Sequence, residues 1–251
     1  MARRDRRGGM NTSLLVLAAA LWGAAAGAYL PRAAYRFSAP AGEPWHRACP
    51  DGHALKGWLG RAACPGCDGG GHGPRTAPLV IATGLLCAAL AAATGTRPEL
   101  GVWLLLAPVG VLLTVVDFRV RRLPDPLTLP FAGAALALLG LTALVPEHAG
   151  HWTTALLGSL ALGGGYFVLF LINPAGMGFG DVKLALGTGA VLGWYGWPTV
   201  MLGTFAGFLL GALYGGALVV ARRASRKTAI AFGPFLIAGA FLGLLVGAYT
   251  A

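Results

Sequence analysis

The 251-residue chain is 56% hydrophobic and only 11% charged, with a mean hydropathy of +0.69. So few charges cannot cover a soluble surface, and no nucleic-acid motif accompanies the net charge of +10; the composition therefore excludes a soluble enzyme or a nucleic-acid binder. It points to an all-α polytopic membrane protein in contact with membrane lipid, with about eight transmembrane helices predicted at 12–30, 77–94, 100–117, 127–145, 153–172, 182–196, 198–221 and 229–249.

The first segment, "LLVLAAALWGAAAGAYL", follows Arg3, Arg4, Arg6 and Arg7 and has the outline of a secretory signal. Seven further apolar segments make a retained helix the better reading, so residues 1–30 are taken as a tail and first membrane helix. Residues 31–76 form a polar loop that contains "CPDGHALKGWLGRAACPGC". Cys49, His53, Cys64 and Cys67 are separated there by three, ten and two residues, spacings that let one chain wrap a tetrahedral structural zinc. His46 and His72 are alternatives to His53 as the nitrogen donor. The bland reading is a mobile glycine-rich loop with incidental thiols. Cys87, inside the second span, reads as a small apolar residue.

Residues 77–251 hold the other seven spans. Loops rich in Lys and Arg stay cytoplasmic, and fourteen of the nineteen basic residues fall on one side if loop 31–76 faces the cytoplasm. That side carries Arg119, Arg121, Arg122, Lys183, Arg222, Arg223, Arg226 and Lys227. Only the N-terminal arginines dissent, and they would drop out if Met10 were the start. The glycines, forty in all, suit helices that approach closely in lipid.

Five acidic residues follow residue 76: Glu99, Asp117, Asp125, Glu147 and Asp181. Glu99 and Glu147 are assigned to short outer loops, where solvation accounts for them. Asp125, between Pro124 and Pro126, reads as a helix N-terminal capping residue. Asp117 and Asp181 end spans on the cytoplasmic side, where a carboxylate is costly unless it faces water or a partner. Two such acids from non-adjacent helices can share one proton, so that one activates water while the other polarises a carbonyl. In "GMGFGDVKLALG", Gly178 and Gly180 offer permissive backbone angles and close approach for an extended substrate beside Asp181. Lys183 reads first as an interfacial snorkelling residue and otherwise as a partner of Asp181 or of phosphate headgroups, and with Gly178 and Gly180 it is a candidate substrate-binding residue. Trp194 and Trp197 read as aromatic anchors at the outer boundary.

"VVDFRVRRLPDPLTLP", with "GMGFGDVKLALGTGAVLGW" beginning after Ala175, resembles the type IV prepilin peptidase family of membrane aspartyl proteases. Gly-x-Gly-Asp alone is weak; joined to Val182, Lys183 and Leu184 and to the upstream Asp-x6-Pro-Asp it is specific. "GAYLPRAAYR" is similar to the family's first-helix end, with Arg36 at its arginine. The resemblance implies catalytic roles for Asp117 and Asp181 without a catalytic metal. It also implies cleavage of a short basic leader from type IV prepilin or pseudopilin substrates, after a glycine, at the cytoplasmic face of the inner membrane. Many members also N-methylate the new terminus from S-adenosylmethionine. The family commonly has two Cys-x-x-Cys pairs in its loop; here the first is incomplete, with Gly52 near the expected cysteine and His53 as replacement. Two other classes of function compete: a membrane transporter that uses the aspartates as a proton or cation relay, with acids nearer the bilayer midplane, and an inactive scaffold that binds assembly proteins through the cysteine loop.

Overall fold

The computed structural model describes residues 2–64, 66–67, 71–174, 176–223 and 230–251, with side chains from residue 12 onward. Arg226 and Lys227, and the side chains of Arg3, Arg4, Arg6 and Arg7, lie outside the described residues. Among the described residues eight helices follow one another: α1 (Ala2–Phe37), α2 (Thr76–Thr94), α3 (Glu99–Val120), α4 (Asp125–Thr142), α5 (Trp152–Ile172), α6 (Phe179–Gly193), α7 (Trp197–Val220) and α8 (Gly233–Thr250). Seven are long and apolar enough to cross a membrane; α6 is the exception at 15 residues, about 22 Å of helix. The chain divides into two compact units, Met1–Val120 and Arg121–Ala251.

In the first unit α1, α2 and α3 pack on one another. A Cβ added to Gly27 would lie 2.6 Å from the Leu79 carbonyl oxygen, so α1 and α2 touch backbone to backbone. Without a hydrophobic driving force between helices in lipid, such close packing is what holds the pair. Cys87 is fully buried with Ala19, Ala91 and Leu100, as expected of a small apolar residue. α1 runs past Pro31, which was expected to open the loop, and continues to Phe37. That extension carries Arg32 and Arg36, four residues apart and so on one helix face, to the loop that follows. Glu99 corrects the solvated outer-loop reading. It starts α3 and is fully buried, with Arg97 Nε 3.9 Å from its carboxylate and a helix N-terminus that favours an acid.

In the second unit α6 touches α4, α5, α7 and α8. Leu184, Ala185, Ala190 and Leu192 on it are fully buried. A helix surrounded by other helices does not have to match the hydrocarbon thickness, which accounts for its short length. It meets α5 through Gly158, Gly189 and Gly193: a Cβ on Gly158 would lie 2.6 Å from the Gly189 carbonyl oxygen. Trp194 corrects the anchor reading, since it is buried beside His148 and against Gly150, whereas Trp197 is exposed. Gly189→Ala is expected to destabilise the detergent-solubilised protein by about 1–3 kcal/mol, because the Gly158 carbonyl cannot give way. Gly164→Ala, where an added Cβ meets nothing within 4 Å, is the control and should be close to neutral. Thermal unfolding of both variants checks this; equal losses would contradict it.

Candidate active site and metal centre

Asp117 lies three residues before the end of α3 and is 4% exposed. The helix ends at once beyond it: Arg121 takes a left-handed φ of 51°, and Pro124, without an N–H, precedes α4. A carboxylate in the last turn of a helix faces carbonyl oxygens, so helix stability gives no reason for an acid there. Asp181 is 6% exposed and sits in the first turn of α6. Its Oδ2 accepts the Gly178 backbone N–H at 3.2 Å, while its own N–H donates to the Gly178 carbonyl at 3.0 Å. Capping is therefore part of its local role. Each acid stands at a helix end in its own unit.

Of the two glycines flanking Phe179, only Gly180 is required by packing. Gly178 has φ −75° and ψ 143°, angles open to any residue, so the expected backbone freedom is not used there. Gly180 is required by proximity: a Cβ on it would fall 2.8 Å from Leu123 Cβ, and Leu123 is buried. Lys183 does not snorkel. Its Nζ lies 2.6 Å from Asp125 Oδ1 and 4.9 Å from the centre of the Phe179 ring. Asp125 is the first residue of α4, caps nothing through its side chain and makes this ion pair instead, which corrects the capping reading.

The loop between α1 and α2 consists of two knuckles held against the α1 extension. In the first, Cys49 N–H donates to His53 O at 2.9 Å, Leu55 N–H to Arg47 O at 2.9 Å, and Gly52 turns the chain with φ 84°. In the second, His72 N–H donates to Ala62 O at 3.0 Å and Cys67 N–H to Cys64 O at 3.2 Å. Arg32 donates to the carbonyls of Arg61 and Lys56. Arg36 donates to those of Leu55 and Gly57 and lies 4.1 Å from the centre of the Trp58 ring.

These knuckles converge their ligands. The donor atoms of Cys49, His53, Cys64 and Cys67 all lie within 4.8 Å of one another. Cys49 Sγ is 3.5 Å from Cys67 Sγ and 3.5 Å from His53 Nδ1, and Cys67 Sγ is 3.4 Å from the same nitrogen. A tetrahedral zinc, about 2.3 Å from sulfur and 2.0–2.1 Å from nitrogen, sets its ligand atoms roughly 3.5–3.8 Å apart, so the residues fit a metal ion. Burial alone would raise the Cys49 thiol, but hydrogen bonds from Cys67, His53 and the Asp51 backbone outweigh it and lower it to about 7. Cys67 is pushed well above the usual thiol range, first by its hydrogen bond to the Asp51 carboxylate at 2.9 Å and then by burial. A second donor set, Cys49, Asp51, Cys67 and His72, shares the two sulfurs. His72 Nε2 is buried with no hydrogen-bond partner among the described residues, whereas His46 is used elsewhere, stacked on Tyr35 and bonded to the Ser38 carbonyl. Of the two alternative histidines, His72 is the one within reach.

The model of the type IV leader peptidase family matches residues 104–216, a span that includes both Asp117 and Asp181. A prepilin leader peptidase/N-methyltransferase of Pseudomonas aeruginosa is 32% identical over 219 residues, which cover 80% of this chain and 71% of the relative. The chain belongs to the type IV leader peptidase family. A prepilin leader peptidase/N-methyltransferase of Aeromonas hydrophila is 36% identical over 203 residues, 76% of this chain and 64% of that one. Another, from Aeromonas salmonicida, is 37% identical over 152 residues, 57% of this chain and 48% of the relative. The chain thus spans about half the length of the Aeromonas salmonicida relative. No solved structure matches the chain.

Within this family member three features escaped sequence reasoning. Asp51 was not weighed as a ligand, although a carboxylate two residues from Cys49 could have been tested as one. Arg32 and Arg36 clamp the loop by donating to carbonyls, contacts that leave no trace in side-chain chemistry along the chain. The Lys183–Asp125 pair joins residues 58 apart in sequence, a separation no local pattern reveals.

Proposed function

We propose that this chain is a prepilin leader peptidase in which Asp117 and Asp181 are the catalytic acids. One carboxylate takes a proton from water as the water attacks the scissile carbonyl, while the protonated one polarises that carbonyl oxygen. The resulting tetrahedral intermediate collapses as a proton passes to the leaving amine, so the peptide C–N bond breaks with no covalent enzyme intermediate. The observation that carries this reading is the pair of buried carboxylates at helix ends, both inside the span that matches the family model. The substrate is a type IV prepilin or pseudopilin, cut between a glycine and a hydrophobic residue.

The excess of Lys and Arg in loop 31–76 and beside Asp117 and Asp181 supports a cytoplasm-facing site in the inner membrane. Cys49, His53, Cys64 and Cys67 would hold a structural zinc, which supplies rigidity to the two knuckles and takes no part in the chemistry above. N-methylation rests on the names of the relatives. No step is routed through S-adenosylmethionine.

The experiment is incubation of the detergent-purified chain with a purified prepilin, followed by mass spectrometry. Loss of the leader mass is expected, and an intact prepilin after prolonged incubation with folded protein would contradict the proposal. The same spectrum reads methylation as one added methyl on the mature terminus when S-adenosylmethionine is supplied.

A further inference from the structure

Asp125 and Lys183 form one of the shortest polar contacts in the second unit, and the catalytic scheme above does not use it. Lys183 Nζ lies 2.6 Å from Asp125 Oδ1, with side-chain exposures of 18% and 59%. A pair that open to solvent on one side contributes only about 0–1 kcal/mol to stability, so fold stability is a poor reason for it. Its location suggests a better one.

Asp125 opens α4 directly after Pro124, whose ring fixes the entry of the chain into that helix. Lys183 lies two residues after Asp181 in the first turns of α6. One residue before Asp181, Gly180 presses against Leu123, where a side chain would not fit. The carboxylate is therefore bracketed: Gly180 on Leu123 fixes how near the end of α6 comes to the segment leading into α4, and Lys183 on Asp125 fixes its rotation and height. Phe179 under the ammonium limits the paths the lysine chain can take.

We infer that the Asp125–Lys183 ion pair is a positioning strap that holds Asp181 in its working orientation. The inference rests on the proposed role of Asp181. An angstrom of misplacement at a reacting group costs far more in rate than a half-exposed ion pair contributes to stability. The strap thus predicts that activity and stability separate.

The test is a set of four proteins, Asp125→Asn, Lys183→Met, the double variant Asp125→Asn/Lys183→Met and the charge exchange Asp125→Lys/Lys183→Asp, assayed on a purified prepilin beside wild type. Each single variant is expected to lose about tenfold in kcat with KM little changed, and the double variant no more than a single one. Thermal midpoints should stay within about 2 °C of wild type. The charge exchange should recover most of the lost rate.

Single variants at wild-type rate would overturn the strap, as would an exchange no faster than the singles. A raised KM at constant kcat for Lys183→Met alone would also overturn it, by assigning Lys183 to substrate contact. Failure of wild-type protein to cleave would instead strike the peptidase proposal, so the two readings fail separately.

Discussion

Asp117→Asn and Asp181→Asn are each expected to reduce leader cleavage by on the order of 10³-fold or more, with the double variant little worse than either single one. Non-additivity follows from the proposed mechanism, in which both carboxyls act on one water and one carbonyl, so that losing either disables the reaction. The structure makes asparagine a clean choice at position 181. The Gly178 N–H reaches Asp181 Oδ2 at 3.2 Å, and an asparagine oxygen can accept the same bond, so the start of α6 survives while the proton acceptor is lost. At position 117 the helix dipole does not favour the acid, and asparagine keeps its size and one accepting oxygen. Asp125→Asn breaks the ion pair with Lys183 and is expected to lose about tenfold, still well short of the two proposed catalytic acids. Rates on membranes carrying equal amounts of each variant give the ordering directly; an Asp125 variant as inactive as the others would mean that the wrong first acid has been chosen.

The second large effect is expected in the cysteine loop. Wild-type protein prepared without chelators should carry about one zinc per chain, and Cys64→Ser/Cys67→Ser should carry almost none, because two of three sulfur ligands are gone. Structural zinc in small sites contributes on the order of 10–16 kcal/mol of apparent binding free energy, so the two knuckles should open and residues 38–75 become sensitive to protease. The helices should remain, since α1 and α2 are held by their own close backbone contact at Gly27 and Leu79. His53→Ala and His72→Ala, compared by metal content and affinity, decide the nitrogen donor. His53 is the expected donor, since its Nδ1 lies 3.5 Å from Cys49 Sγ and 3.4 Å from Cys67 Sγ, the spacing a tetrahedral ion requires. Metal-free wild-type protein from careful preparations would falsify the site.

Sequence reasoning succeeded where the signal is local. Apolar runs locate all eight described helices because spanning and buried helices are both greasy; the sixth was given its 15-residue length three residues late, but hydropathy could not tell that it is packed among other helices. Asp117 and Asp181 stood out because an acid beside an apolar run demands a cause. Cys49, His53, Cys64 and Cys67 stood out because their spacing suits the reach of one chain around one ion, and their donor atoms lie within 4.8 Å of one another. What stayed hidden depends on distant partners. Trp194 looked like an interfacial anchor because composition around it does not show that Gly150 and His148 cover it. Glu99 looked solvated because its burial depends on how α3 starts beside Arg97. Gly180 was read as freedom for a substrate, whereas its missing side chain is filled by Leu123, 57 positions earlier in the chain.

The central claim is that this chain removes prepilin leaders with Asp117 and Asp181. Its most direct measurement is the N-terminal sequence of a prepilin taken from cells whose only leader peptidase is this protein, either wild type or Asp181→Asn at matched levels. The account predicts a new terminus immediately after the leader glycine with wild type and an intact leader with the variant. A mature terminus in both, or an intact leader with folded wild-type protein and prepilins from the same genome, would contradict it.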